Sequence, residues 1–232
     1  MQDADVRVTG TDAGGVQGAG TPRRRRRPWR AVLVAALTTL AVLALLQAFV
    51  VRMFLVPSAS MEPTLEPGDR IAVSLLPPAP GGLHRGDVVV FTDTKGWLTG
   101  DDARWADPLR VAASLVGADQ GRRHVVKRVV GLPGDTVRWQ PGWEHLQVNG
   151  ADLDEPYLAN GLAGEGPGFD VTVPEGRLWV LGDHRAVSQD SRQHREGPGG
   201  GFVAEEDVLG RAVAVVWPLD RVGLLTADGA AS

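Results

Sequence analysis

Two short stretches carry side chains whose types and spacing suit covalent chemistry: "PSAS", Pro57 to Ser60, and "HVVKRVV", His124 to Val130. A serine hydroxyl is a poor nucleophile until a neighbouring base takes its proton. Neutral lysine can be that base, without a histidine, in the Ser-Lys form of serine hydrolysis. If 124–130 is a strand, side chains alternate across it and Lys127 shares a face with Val125 and Val129. Burial among valines disfavours the ammonium form, so the lysine pKa falls from about 10.4 toward neutrality, where the amine is a usable base. Each stretch alone also fits a plainer role. Two serines suit a stalk or a processing site, and a lysine on an edge strand readily snorkels to solvent.

Other chemistries find less support. The chain has no cysteine, which removes disulfides, thiol nucleophiles and cysteine-ligated metals. Its five histidines, at 84, 124, 145, 184 and 194, never fall at i, i+4 beside an acid, as a helical zinc site requires. "GLPGD" (131–135) lacks the Gly-Lys-Ser/Thr of a phosphate loop and reads as a turn before a strand. Asp152, Asp154 and Glu155 lie in a loop with nothing to desolvate them and read as solvated surface.

The elements that must position Ser60 and Lys127 begin with an apolar run. "AVLVAALTTLAVLALLQAFVV", Ala31 to Val51, is 21 residues without a charge. As a helix it spans roughly 30 Å, the thickness of a bilayer core. It exceeds the 7–15-residue apolar region of a cleaved signal peptide, and a retained anchor fits it better than that or a buried soluble helix. "RRRRR", Arg23 to Arg27, with Arg30 beyond, precedes the run, while only Arg52 follows it directly. The positive-inside rule therefore places residues 1–30 in the cytoplasm, as a disordered segment ending in a polybasic run. The arginines could contact nucleic acid, but their place beside the helix accounts for them, and a net charge of −4 gives no basic surface overall.

Beyond the anchor the pattern changes to short strands. "DRIAVSLL" (69–76), "GDVVVFTD" (86–93), "HVVKRVVG" (124–131), "DTVRWQ" (135–140), "HLQVNG" (145–150), "RLWVLGD" (177–183) and "RAVAVVWP" (211–218) are rich in Val, Ile, Leu and Trp and end at turn residues. Thirty glycines and sixteen prolines against one tyrosine agree with a turn-rich β protein. The expected domain runs from 52 to 220 outside the membrane, with variable insertions at 94–123 and 151–176 and a flexible tail over 221–232. Within the first insertion, "DPLRVAASLVG" fits a short amphipathic helix capped by Asp107.

"PSASMEPTLEPGD", "RGDVVVF", "VVKRVVGLPGD" and "LGDHRAVSQDSR" occur in this order behind the anchor. Together they closely resemble the successive conserved boxes of bacterial type I signal peptidases, membrane-bound Ser-Lys serine proteases. A single helix and a short tail look more like the Gram-positive enzymes, and the Ala/Gly/Arg-rich composition suits an actinobacterium. The resemblance implies a mostly β fold, an antiparallel, barrel-like catalytic domain behind one N-terminal transmembrane helix. It implies Ser60 as nucleophile, Lys127 as general base, and Ser58 with the Ser60 N–H as oxyanion hole. Ser188 matches a serine that orients the lysine; Arg128, Asp183, Asp190 and Arg192 match structural polar residues. Phe54, Val56, Met61, Leu65, Val125 and Val126 fall where the family lines small apolar substrate pockets. The implied partners are signal-peptide-bearing preproteins and the lipid bilayer, with the Sec and Tat machinery involved only indirectly, and no metal or organic cofactor is implied. Where the family usually reads Gly-Asp-Asn-Arg-Asp-Asn-Ser, this chain has "GDHRAVS", with His184, Ala186 and Val187 as departures. That loop's hydrogen bonding is therefore open, and His184 reads as structural. A catalytically inactive binding protein of the same fold is the alternative. An autoproteolytic repressor conflicts with the anchor.

Overall fold

Short runs of β-branched and aromatic residues, cut by glycine and proline, leave the backbone little choice but paired strands closed by turns. The computed structural model describes residues 28–76, 82–98, 124–159 and 167–226. It divides into two compact units, Met1–Ala41 and Val42–Ser232. The one long helix among the described residues, α1 (Pro28–Phe49), has Pro28 at its first position, where proline's missing N–H leaves no helical bond unmade. Val32, Leu33, Val34, Leu37 and Leu40 are all more than half exposed on it. Side chains 43–49 fall outside the description, and among the described residues no helix is long and apolar enough to cross a membrane. The helix ends before the expected Val51, because Val51 instead opens a strand and pairs with Ser74.

The strands are β1 (Val51–Leu55), β2 (Arg70–Ser74), β3 (Val88–Thr92), β4 (His124–Gly131), β5 (Thr136–Trp139), β6 (Gln147–Val148), β7 (Ala151–Asp152), β8 (Phe169–Thr172), β9 (Arg177–Leu181), β10 (Val203–Ala204), β11 (Val208–Trp217) and β12 (Gly223–Leu224). They form two antiparallel sheets. The larger is ordered β1-β2-β11-β3-β4-β9-β10, with β12 added on β11, and the smaller β7-β6-β5-β8. Among the described residues the large sheet stays open, with β1 and β10 at its ends, rather than closing as a barrel. Every strand read from the sequence is present, whereas β1, β7, β8, β10 and β12 were not expected; all five have five residues or fewer, and β7, β10 and β12 only two each, too few to show alternation.

Three apolar clusters hold the sheets. Val56, Met61, Leu65, Ile71, Val73 and Val215 pack in one. Val89, Phe91, Trp97, Val125, Val129 and Val180 pack in a second. The small sheet contributes Val137, Trp139, Val148 and Phe169 to a third around Trp179. The domain also runs past its expected end. Arg221, placed in the tail, donates to Asp69 at 3.0 Å and to Glu66 at 2.7 Å, and β12 follows it. The helix expected at "DPLRVAASLVG", residues 1–27, and 227–232 lie outside the described residues.

Candidate active site

The loop from β1 to β2 is pinched shut at its base. Val56 N–H donates to the Asp69 carbonyl at 2.8 Å, and Gly68 N–H returns to the Val56 carbonyl at 2.9 Å. The Asp69 carboxylate takes the Glu66 N–H and the Arg221 guanidinium, holding the turn from inside. Between these closures a one-turn helix, Ala59–Met61, follows Ser58, whose backbone is extended. Met61 and Leu65 are fully buried and anchor the turn, with Leu65 N–H bonded to the Met61 carbonyl at 2.9 Å. Ser60 therefore sits on a fixed tip.

β4 supplies the lysine. It lies inside the sheet between β3 and β9, with Val89 opposite Lys127, so Lys127 is not the edge residue that would snorkel. Lys127 is 4% exposed. Its Nζ donates to Ser60 Oγ at 2.7 Å and to the Val126 carbonyl at 3.0 Å. Burial is the main cause that lowers its pKa, to about 8; Asp190 and Asp183 pull it partly back up, and Arg192 adds to the fall. In the neutral amine the first bond reverses, and the Ser60 hydroxyl donates to Nζ. That is the arrangement a general base needs. Ser58 Oγ stands 3.3 Å from Ser60 Oγ.

The turn after β9 closes the site. Arg128, next to Lys127 on β4, grips Asp183 with Nε and Nη2 at 2.8 and 2.7 Å and gives Nη1 to the Gly86 carbonyl at 2.7 Å. Thr64 Oγ1 donates to the same carboxylate at 2.6 Å, so Asp183 ties the serine loop to the lysine strand. Arg192 holds Asp190 with Nε and Nη2, each at 2.9 Å, and Asp190 accepts the Gly182 N–H at 3.1 Å. Burial raises the Asp190 pKa, but Arg192 and the Gly182 N–H outweigh it, and the carboxyl lies below its ordinary range. Both pairs are fully enclosed, the setting in which loss of one partner is strongly destabilising.

The structure brings Ser58, Ser60 and Lys127 together and surrounds them with Arg128, Asp183, Asp190 and Arg192. Ser188 is buried nearby; its hydroxyl helps keep Asp190 ionised, yet Oγ has no partner at hydrogen-bonding geometry, and Lys127 makes no bond to it. Of the pocket candidates, Phe54, Val56, Met61, Leu65 and Val126 share one apolar cluster, whereas Val125 packs in the other with Phe91 and Trp97. Strand alternation separates the two valines. The "GDHRAVS" departures are accommodated. His184 N–H donates to the Ser60 carbonyl at 3.2 Å, His184 Nδ1 lies 3.5 Å from Glu62, and Val187 stands half exposed.

Three residues here escaped sequence reading: Thr64, Tyr157 and Arg185. Glu155 is a correction, since it is buried against Arg185 instead of solvated, while Asp152 and Asp154 are exposed. The only signal was Arg185 itself, an arginine amid a buried box with no acid assigned to it.

Comparison with known proteins places these elements in a family. Residues 29–217 match the family described as signal peptidase, peptidase S26. The chain is 33% identical over 253 residues to a probable signal peptidase I of Mycobacterium leprae, covering 95% of this chain and 87% of the relative. It is 34% identical over 228 residues to signal peptidase I of Mycobacterium tuberculosis, covering 87% and 76%. With a probable signal peptidase I-2 of a Synechocystis species it shares 39% over 194 residues, covering 83% and 75%. Because the match spans the serine loop, the lysine strand and the arginine-rich turn, this chain belongs to the signal peptidase family, peptidase S26, and is a serine endopeptidase.

Proposed function

We propose that this chain is a membrane-anchored signal peptidase I that removes N-terminal signal peptides from exported preproteins, with Ser60 as nucleophile and Lys127 as general base. The observation that carries the reading is the 2.7 Å approach of a buried lysine amine to a serine on a rigid turn. Ser60 attacks the carbonyl of the residue before the cleavage point as its proton passes to Lys127. The negative oxygen is met by the Ser58 hydroxyl and the Ser60 N–H, and one such donor is typically worth about 2.7–4 kcal/mol. Lys127 then gives the proton to the leaving amine, the peptide bond breaks, and a water activated by the same amine hydrolyses the acyl-enzyme. Ser188 acts as a support for Lys127, which its burial beside Asp190 allows.

The substrate's cleavage region lies extended along a strand edge, its backbone pairing with the enzyme. Small side chains at −1 and −3 fit beside Phe54, Val56, Met61, Leu65 and Val126, giving an Ala-x-Ala preference. The exposed apolar side chains of α1 and the uncharged run from Ala31 to Val51 support a single membrane anchor. With the arginine run before it, the N-terminus is cytoplasmic and the catalytic domain extracytoplasmic. Ser60 is nine residues beyond Val51, so the anchor keeps the nucleophile near the bilayer, where tethered substrates reach a high effective concentration. The test is cleavage of a purified preprotein by the full chain in detergent micelles. Wild type should release the signal peptide while Ser60→Ala and Lys127→Ala do not; equal rates in all three would end this reading.

A further inference from the structure

We infer that Glu155 and Tyr157 are positioning residues for the Ser60–Lys127 pair, forming a brace that reaches it through Arg185 and Arg128. The inference rests on the function proposed above for the reacting pair, but its geometry is independent of any substrate.

Glu155 follows β7 in the short stretch "DEPYL", and its side chain is almost wholly enclosed. Its carboxylate accepts from both terminal nitrogens of Arg185 and from the Tyr157 hydroxyl at 3.0 Å. Burial works against the Arg185 charge, and Glu155 more than offsets it. Arg185 Nε in turn donates to the Gly182 carbonyl at 2.9 Å. Gly182 is thus held from both sides, its N–H by Asp190 and its carbonyl by Arg185. That grip matters because Gly182 is packed against the Ser60 carbonyl and Ser188 Oγ, so tightly that a Cβ there would collide with both. Any slack in Arg185 is passed directly to the serine turn.

Tyr157 braces the other half. Its ring lies under the Arg128 guanidinium, 3.9 Å from ring centroid to Cζ, and Arg128 is Lys127's neighbour on β4. Stacking of this kind favours arginine in one fixed plane, the plane in which its fork meets Asp183. Two residues further, Ala159 N–H donates to the Asp183 carbonyl at 3.3 Å. A segment with no atom at the reacting groups therefore closes over both arms that hold them.

The chain has two lysines, Lys95 and Lys127, so lysine-selective isotope labelling gives two side-chain signals to follow. The experiment titrates them by NMR in the full chain in micelles and measures cleavage kinetics on the same samples. Glu155→Gln removes a buried negative charge and deprives the Arg185 cation of that carboxylate, so the Lys127 signal should titrate lower than in wild type, while kcat at pH 7 should fall about tenfold or more with KM within about twofold as the serine turn shifts. Tyr157→Phe, which keeps the ring on Arg128, should move both readouts in the same direction by less. A purely structural role would lower thermal stability and leave the Lys127 titration and the kcat of folded protein as in wild type. That result in both variants overturns the inference, and Tyr157→Phe decides alone if Glu155→Gln does not fold. If wild type cleaves nothing, the proposed function fails instead, and the Lys127 titration still judges the brace.

Discussion

Raising the pH from 6 to 10 should switch cleavage on with a midpoint set by Lys127. An amine of ordinary pKa, 10.5, is neutral in about one molecule in 3,000 at pH 7, whereas one near 8 is neutral in about one in ten. The site thereby raises the population of active base roughly 300-fold, equivalent to about 3 kcal/mol. Burial supplies the fall and the Asp190 charge limits it, so the sign is definite. A lowered lysine pKa means that the reactive form is present above about pH 8 and is lost as pH falls through it. In micelles at fixed ionic strength, kcat/KM for a preprotein should drop about tenfold per pH unit below the midpoint and level off above it. Asp190→Asn removes a charge that favours the ammonium and leaves Arg192 without its partner. Both changes push the midpoint lower still. A rate flat from pH 6 to 9, a wild-type midpoint near 10, or an upward shift in Asp190→Asn would refute the reasoning.

Two further outcomes follow from distances at the serine turn. Ser58→Ala deletes the hydroxyl 3.3 Å from Ser60 Oγ and should cost about 10²–10³ in kcat, with KM and thermal stability little changed, in steady-state kinetics on the same substrate. Gly182→Ala places a methyl against Ser188 Oγ and the Ser60 carbonyl, so the serine turn must shift. A misplacement of about 1 Å can cost about 10²-fold, and kcat should fall at least that far in protein that remains folded by circular dichroism. Full activity in Gly182→Ala would mean that the turn is not held as tightly as its packing implies.

Much of the fold could be read because strands announce themselves locally. The run "HVVKRVVG" is bounded as β4 is, since valines favour a pleated surface and glycine ends it. The short strands β7, β10 and β12 could not be read, because two residues carry no alternation. The tail was misjudged at Arg221, whose partners Asp69 and Glu66 are more than 150 residues away in the chain. Ser60 and Lys127 were found by resemblance to a family; from their own neighbourhoods each kept an ordinary alternative.

Sequence alone determined which groups are available: no thiol, a serine pair behind an uncharged 21-residue run, and a lysine flanked by valines. These follow from composition and short-range pattern, which act along the chain. Tertiary structure decided which of them matter to one another. It set Lys127 on an inner strand 2.7 Å from Ser60, turned Glu155 from an apparent surface acid into the buried partner of Arg185, and sent Val125 and Val126 into different clusters. The physical reason is that burial and charge pairing are made across 30 to 120 residues of sequence, and a lysine becomes a base only where the fold excludes water from it.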